Sequence, residues 1–162
     1  MEQVHFTRAV ERHQDMVYRV ALHSLGTPQD ADDAVQEVFL RLYQRAEPFD
    51  SPEHLRRWLL RVTLNYCRDV LKSPWRRRRV SLESLPELPA FQREEERVLY
   101  QTVMSLPEKY RTAVYLHYVE GYTAEEIAAL LGCPRSTVLS RLMRARKLLR
   151  DMLKEEFDHD QC

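Results

Sequence analysis

The sequence predicts an all-α protein of two small helical domains joined by a flexible linker, the second domain being a helix-turn-helix. Three observations carry that expectation. Apolar residues recur at three- and four-residue steps along most of the 162-residue chain. Only three glycines occur, and each follows such an apolar run, as a helix terminator does. One long stretch, SPWRRRRVSLESLPELPAF, has no sustained periodicity and is punctuated by Pro74, Pro86 and Pro89.

Taken in order, Phe6, Val10, Val17, Val20, Ala21 and Leu25 predict a first helix that stops at Gly26. Thr27-Pro28 reads as the cap and first turn of a second helix, with Ala31, Val35, Val38, Phe39 and Leu42 inward and Pro48 beyond its end. Ser51-Pro52 is another cap-plus-proline start. It opens a helix that should last to the Ser73-Pro74 break, with Leu55, Leu59, Val62, Tyr66 and Val70 as its apolar stripe. Residues 1–73 are then one domain, 74–92 a tether and 93–162 the second domain. Val98, Leu99, Thr102 and Val103 begin that second helical block, Pro107 opens its next helix, and Gly121 closes it. Thr123 and Glu126 have capping-box spacing, in which each side chain satisfies the other's free backbone donor. The chain ends in KEEFDHDQC, expected to be a frayed tail with no further domain appended.

Composition excludes several classes of function. No apolar run approaches the ~20 residues of a membrane span. The start, MEQVHFTRAV, lacks the apolar core of a signal peptide, so the expected compartment is the cytoplasm with no membrane insertion. Cys67, Cys133 and Cys162 are far apart and odd in number, which argues against a disulfide framework. They also lack metal-ligand spacing, so neither metal nor cofactor is expected. The six histidines are scattered, and there is no nucleophile constellation, phosphate-cradling glycine loop or HExxH. The chain does not read as an enzyme.

Charge is balanced overall, 25 basic against 25 acidic residues, but strongly segregated. Arg56, Arg57, Arg61, Arg68, Lys72 and the run Arg76 to Arg79 are opposed by Asp69 alone; Arg135, Arg141, Arg144, Arg146, Lys147 and Arg150 by no acid at all. Two separate basic surfaces suit two contacts with a polyanion better than solvated faces, which usually mix signs.

The second basic segment follows a compact helix–turn–helix pattern, Thr123 to Leu131, a turn at Gly132-Cys133, and a helix from Pro134. Wound at ~100° per residue, Val138, Leu142, Ala145 and Leu149 share one stripe. Ser136, Ser140, Met143, Arg144 and Lys147 lie opposite, with Thr137 and Leu139 at the sides and Arg141 on the border. Short hydroxyls near the helix start and long cations further along fit a major groove.

The first basic segment is more unusual. About a quarter turn from the apolar stripe, Arg57, Trp58, Arg61, Asn65, Arg68 and Lys72 share a face. The ring can stack on a base, the amide can read a base edge and the cations can follow a backbone, a set that suits an unpaired strand. The alternative, that Trp58 caps the core, stays open. On the second helix Asp33, Gln36, Glu37 and Leu40 point outward with Asp32 at the edge. That patch suits protein docking or plain solvation.

Together these segments resemble the extracytoplasmic-function (ECF) sigma factors of bacterial RNA polymerase, in the sigma-70 family. DADDAVQEVFLRLY resembles the family's polymerase-docking helix, and WLLRVTLNYCRDVLK its helix for melting and reading the −10 element. LPEKYRTAVYLHYVEGYTAEEIAALLGCPRSTVLSRLMRARKLL resembles its two-part domain for the −35 element. The resemblance implies that Asp32, Asp33, Gln36, Glu37 and Leu40 meet the clamp helices of the polymerase β′ subunit, while the C-terminal domain meets the β flap. It implies that the loop Asp50, Ser51, Pro52, Glu53 and His54 receives a flipped base of the non-template strand, with Trp58, Arg61 and Asn65 beside it. Arg76 to Arg79 and the tether would follow the polymerase's RNA-exit and active-site approaches. Arg135, Ser136, Thr137, Leu139, Ser140, Arg141, Arg144 and Lys147 would sit at the upstream element.

The implied partners are core RNA polymerase, promoter DNA and an anti-sigma factor, and the implied output is a stress or envelope-type regulon. One departure stands out. The family's recognition helix commonly reads Gly-Thr-Val-Lys-Ser-Arg, and here Ser136-Thr137-Val138-Leu139-Ser140-Arg141 replaces the lysine with leucine. The competing readings are an autonomous helix-turn-helix regulator, which has no need of the Trp58/Asn65 face, and an adaptor whose basic faces meet acidic proteins.

Overall fold

The structure, a computed structural model, describes residues 3–74 and 93–160. The expected tether and the Arg76 to Arg79 run lie outside the described residues, apart from Pro74 at the tether's start. The chain divides into two compact units, residues 1–86 and 87–162.

In the first unit α1 (Gln3–Leu25), α2 (Pro28–Gln44) and α3 (Pro52–Lys72) pack against one another in all three pairings. Both expected caps form. The Thr27 hydroxyl accepts from the Asp30 N–H at 3.3 Å, and Ser51 accepts from His54 N–H at 3.0 Å. Each satisfies a donor that the first helical turn leaves unpaired, and the proline that follows has no N–H to leave unpaired. Gly26 has a φ of 89°, a left-handed turn closed to most side chains, so α1 stops there and α2 folds back on it. Val17, Val20, Ala21, Ala31, Ala34, Val38, Leu42, Leu59 and Leu60 are the interior of this unit.

The apolar stripe of α3 differs from the sequence expectation. Leu59, Leu60, Thr63, Leu64 and Cys67 are buried, whereas Leu55, Val62, Tyr66 and Val70 are only half-buried. The buried stripe is rotated about a quarter turn from the predicted one. The physical reason lies in two small residues that hydropathy undervalues. Thr63 hides its hydroxyl by donating to the Leu59 carbonyl at 2.6 Å, and Cys67 packs as a small hydrophobe.

In the second unit α4 (Glu94–Met104) precedes α5 (Glu108–Val114), which runs into a π-helical turn, Tyr115–Val119. Then come α6 (Ala124–Leu131) and α7 (Arg135–Asp160). Leu116, Ile127, Val138, Leu142 and Ala145 are fully buried, and Leu106, Tyr110 and Val114 pack with Ala145, Leu149 and Met152. The capping box forms as expected. Thr123 accepts from Glu126 N–H at 3.2 Å and donates its own backbone N–H to the Glu126 carboxylate at 3.1 Å.

Three features of this unit differ from the expectation. No residue of α4 is fully buried and Leu99 is 48% exposed, because the helix touches the unit on one side, along α7. The π-helical turn adds a residue to one helical turn, where Glu120 N–H reaches back to the Tyr115 carbonyl at 3.1 Å. And α7 does not fray at Lys154 but continues to Asp160.

Candidate nucleic-acid interfaces

α3 builds the first surface. Because its core stripe centres on Thr63 and Cys67, Trp58 and Asn65 fall almost diametrically opposite, roughly half a turn around the helix. Trp58 is therefore not a cap on the core. It is half-buried for a different reason: the segment before α3 folds up beside it. Phe49 meets the indole edge-to-face at 5.6 Å and the His54 ring at 5.1 Å. The Arg45 guanidinium lies over both rings, 4.4 Å from the Phe49 centroid and 5.3 Å from that of Trp58. Arg45 is itself held by the Glu47 carbonyl at 3.1 Å and the Glu47 carboxylate at 3.7 Å. An edge-to-face pair under a cation favours one plane for the indole, which lowers the rotamer freedom lost when a ligand arrives.

The other predicted residues group around it. Asp50, Ser51, Pro52 and Glu53 are exposed in the loop and first turn, and His54 is half-buried. The Asp50 N–H donates to His54 Nδ1 at 3.1 Å, which closes the loop on itself. Asn65 is half-buried, and its carbonyl oxygen accepts from Arg68 at 3.0 Å, so its amide NH₂ is the end left to face a ligand. Arg57 is exposed and paired with Glu53 at 3.1 Å, a surface bridge weak enough to exchange for a phosphate. Arg61 and Lys72 are exposed on the same side. Arg45 and Phe49 went unread in the sequence. The one available signal was an aromatic residue directly after Pro48, in a loop where no periodicity explains it.

α7 builds the second surface. Val138, Leu142 and Ala145 are buried and Leu149 half-buried, as predicted. Arg135, Ser136, Leu139, Arg144 and Lys147 are exposed, while Thr137, Ser140 and Arg141 sit half-buried at the margins. Gly132 ends α6 with a φ of 68° and has open space where a Cβ would stand, so the left-handed turn, not crowding, is what requires glycine there. Arg135 pairs with Glu125 across that turn at 3.6 Å. Met143, 61% exposed, and Leu139, 40% exposed, put apolar area among the cations, as contact with thymine methyls would need. Arg146 is turned aside: it donates to the Tyr118 hydroxyl at 3.1 Å, tying α7 to the π-helical turn.

A third surface lies on α2. Asp32, Asp33 and Gln36 are exposed, and Leu40 is 50% exposed. Glu37, half-buried, pairs with Arg41 at 3.0 Å. Behind them, burial and then the carboxylates of Asp33 and Glu37 push the Tyr66 phenol above its ordinary pKa.

Residues 9–77 match the family model described as Sigma-70 region 2, and residues 96–149 that of Sigma-70, region 4. The chain is 36% identical over 157 residues to the ECF RNA polymerase sigma factor SigE of Mycolicibacterium smegmatis, covering 89% of this chain and 60% of that protein. It is 32% identical over 166 residues to the ECF RNA polymerase sigma-E factor of Escherichia coli K12, covering 91% and 86%.

The chain belongs to the ECF sigma factors of the sigma-70 family.

Among solved structures, this sigma factor is similar to CnrH in complex with the cytosolic domain of CnrY, at 28% identity and a TM-score of 0.64, covering 95% of this chain and 90% of that one. It shares its fold with the sigma factor RpoE, solved with the anti-sigma factor NepR from Bartonella quintana, at 24% identity and a TM-score of 0.74, covering 92% and 96%. The sigma factor spans 60% of the length of SigE and 41% of a probable sigma factor, RfaY, of Xanthomonas campestris, but 89% of SigW of Bacillus subtilis. Among its described residues no helix is long and apolar enough to cross a membrane, and no cluster of His, Cys, Asp and Glu could hold a metal ion.

Proposed function

We propose that this ECF sigma factor binds core RNA polymerase in the cytoplasm, recognises −35 and −10 promoter elements and opens the promoters of a stress or envelope-type regulon. The bond-making chemistry belongs to the polymerase. Residues 1–73 are the docking and −10 domain, 74–92 the tether and 93–162 the −35 domain. The observation that carries the reading is the Trp58 face. An indole directed away from the core, steadied by Phe49 and Arg45 and flanked by Asn65, Arg61 and Arg68, has the chemistry to hold a base drawn out of its stack. A protein that only held duplex would have no use for it.

Within this reading the Asp50 to His54 loop takes the flipped base, with Trp58, Arg61 and Asn65 beside it and Arg57, Arg68 and Lys72 on the backbone. The exposed face of α7 from Arg135 to Lys147 enters the upstream major groove. Asp32, Asp33, Gln36, Glu37 and Leu40 dock on the β′ clamp helices, and the second unit meets the β flap. The solved relatives bound to NepR and to the CnrY cytosolic domain support a protein antagonist here too. An anti-sigma factor recovered by pull-down from the native host is the expected result.

Run-off transcription with core enzyme tests the whole. A specific transcript that appears only with both proteins, together with permanganate-reactive thymines near the start site, is the expected outcome. Tight, sequence-specific duplex binding by the protein alone would favour an autonomous regulator. The absence of any specific transcript would favour an adaptor.

A further inference from the structure

Phe49, whose ring meets Trp58, also lines a cavity of about 420 Å³. Its α1 wall presents His5, Arg8, Arg12 and His13, whose spacing puts them on one stripe of that helix, and Phe49 and Asp50 face them. Arg8 and Arg12 are exposed; His13 is 8% exposed. Arg56 stands close enough to bear on the His13 ring together with Arg12. Asp50 is the one acid among the lining residues, and its side chain is 96% exposed.

Within the cavity wall the positive charge is concentrated. Arg8 and Arg12 are four residues apart, a spacing at which like charges repel. They lie side by side on the exposed part of the α1 wall. A bound anion would relieve that repulsion. Guanidinium forks match the oxygens of a phosphate. Burial, with the charges of Arg12 and Arg56, holds His13 below its ordinary pKa, so it meets such an oxygen as a neutral donor.

We propose that this cavity seats a backbone phosphate next to the base captured by the Asp50–His54 loop, with Arg8 and Arg12 as its ligands and His13 as a further hydrogen-bond donor. The inference rests on the single-strand reading above. The two places adjoin: Asp50, Ser51 and Pro52 of that loop line the cavity, and Phe49 lines it with its ring against Trp58. An anion held there would anchor the strand at the point where its base leaves the stack.

The test uses holoenzyme made with the full chain and a fork fragment of its own mapped promoter, single-stranded across the downstream element. Each phosphate flanking the captured base is replaced in turn by a neutral methylphosphonate. The wild type should bind one of the two substituted forks several-fold more weakly, and R8Q/R12Q should lose as much on the unmodified fork and nothing more on the substituted one. The double variant should also flatten the slope of log affinity against log salt by about 0.7 for the one phosphate. Equal methylphosphonate penalties in variant and wild type would overturn the proposal. So would a variant defect that appears equally on fully paired DNA or in binding to core enzyme alone, which would assign the cavity to duplex or to polymerase. A wild type that prefers the fork no more than duplex would instead sink the single-strand reading itself.

Discussion

The Arg45 guanidinium lies over the Trp58 indole, 5.3 Å from its centroid, and over Phe49 at 4.4 Å. The stacking surface is thus held by a cation from outside its own helix. Trp58→Ala should leave closed-complex binding largely intact while weakening opening by about 1–3 kcal/mol, the range for loss of one base–aromatic stack. Arg45→Ala should produce a milder opening defect, about 0.5–1 kcal/mol, because the indole stays but loses its clamp. Permanganate reactivity beside filter binding separates the two steps. Equal loss in both steps for Trp58→Ala would contradict the assignment.

The rotated stripe of α3 makes a pair of substitutions decisive for the fold. Leu60 is fully buried and Val62 half-buried. Leu60→Ala should cost about 2–5 kcal/mol in urea unfolding, as cavity-forming changes do. Val62→Ala should cost about 1 kcal/mol or less, since much of its surface is already in water. The reverse order would restore the stripe expected from hydropathy.

Three changes on the second unit probe the upstream contact. Arg144→Ala should weaken use of the upstream element by about 1–3 kcal/mol and relax preference at one base pair if it reads an edge. Leu139→Lys should instead steepen the salt dependence of binding by about 0.9, the signature of one added phosphate contact on duplex. Glu125→Gln releases Arg135 from its 3.6 Å partner and should raise promoter affinity by about 0.2–1 kcal/mol. Gel shifts with holoenzyme at several salt concentrations read all three.

Burial, then the charges of Arg12 and Arg56, lower the His13 pKa in the folded chain. The unfolded chain, with an ordinary imidazole, therefore binds a proton first as pH falls. The stability linked to this group is complete above the ordinary imidazole value and is lost as pH drops through it toward the lower folded value. Thermal unfolding between about pH 7.5 and 5.5 should show a steeper decline for the wild type than for His13→Gln. Parallel declines would count against the buried imidazole as the cause.

Helix order, caps and the recognition stripe of α7 were legible because each depends on local chemistry. Thr27-Pro28, Ser51-Pro52 and the Thr123/Glu126 box act within one turn, and the Val138–Leu142–Ala145 stripe consists of plainly apolar residues that periodicity can pick out. The α3 stripe was misplaced because that helix is packed by both α1 and α2, and tertiary contact then hides Thr63 and Cys67, whose side chains announce no such burial. The Arg45–Phe49–Trp58 stack was invisible because two of its members lie outside any helix. The π-helical turn has no sequence mark known to us, and Tyr118 would have been read as one more aromatic of α5.

The hydrogen bond from the Asp50 amide to His54 Nδ1 fixes where the imidazole keeps its proton. With Nδ1 accepting, the neutral ring must be the Nε2–H tautomer, so a group arriving at its far edge meets a donor. Under the proposed reading, a captured base would be favoured there by a carbonyl or an unprotonated ring nitrogen and disfavoured by an amino group.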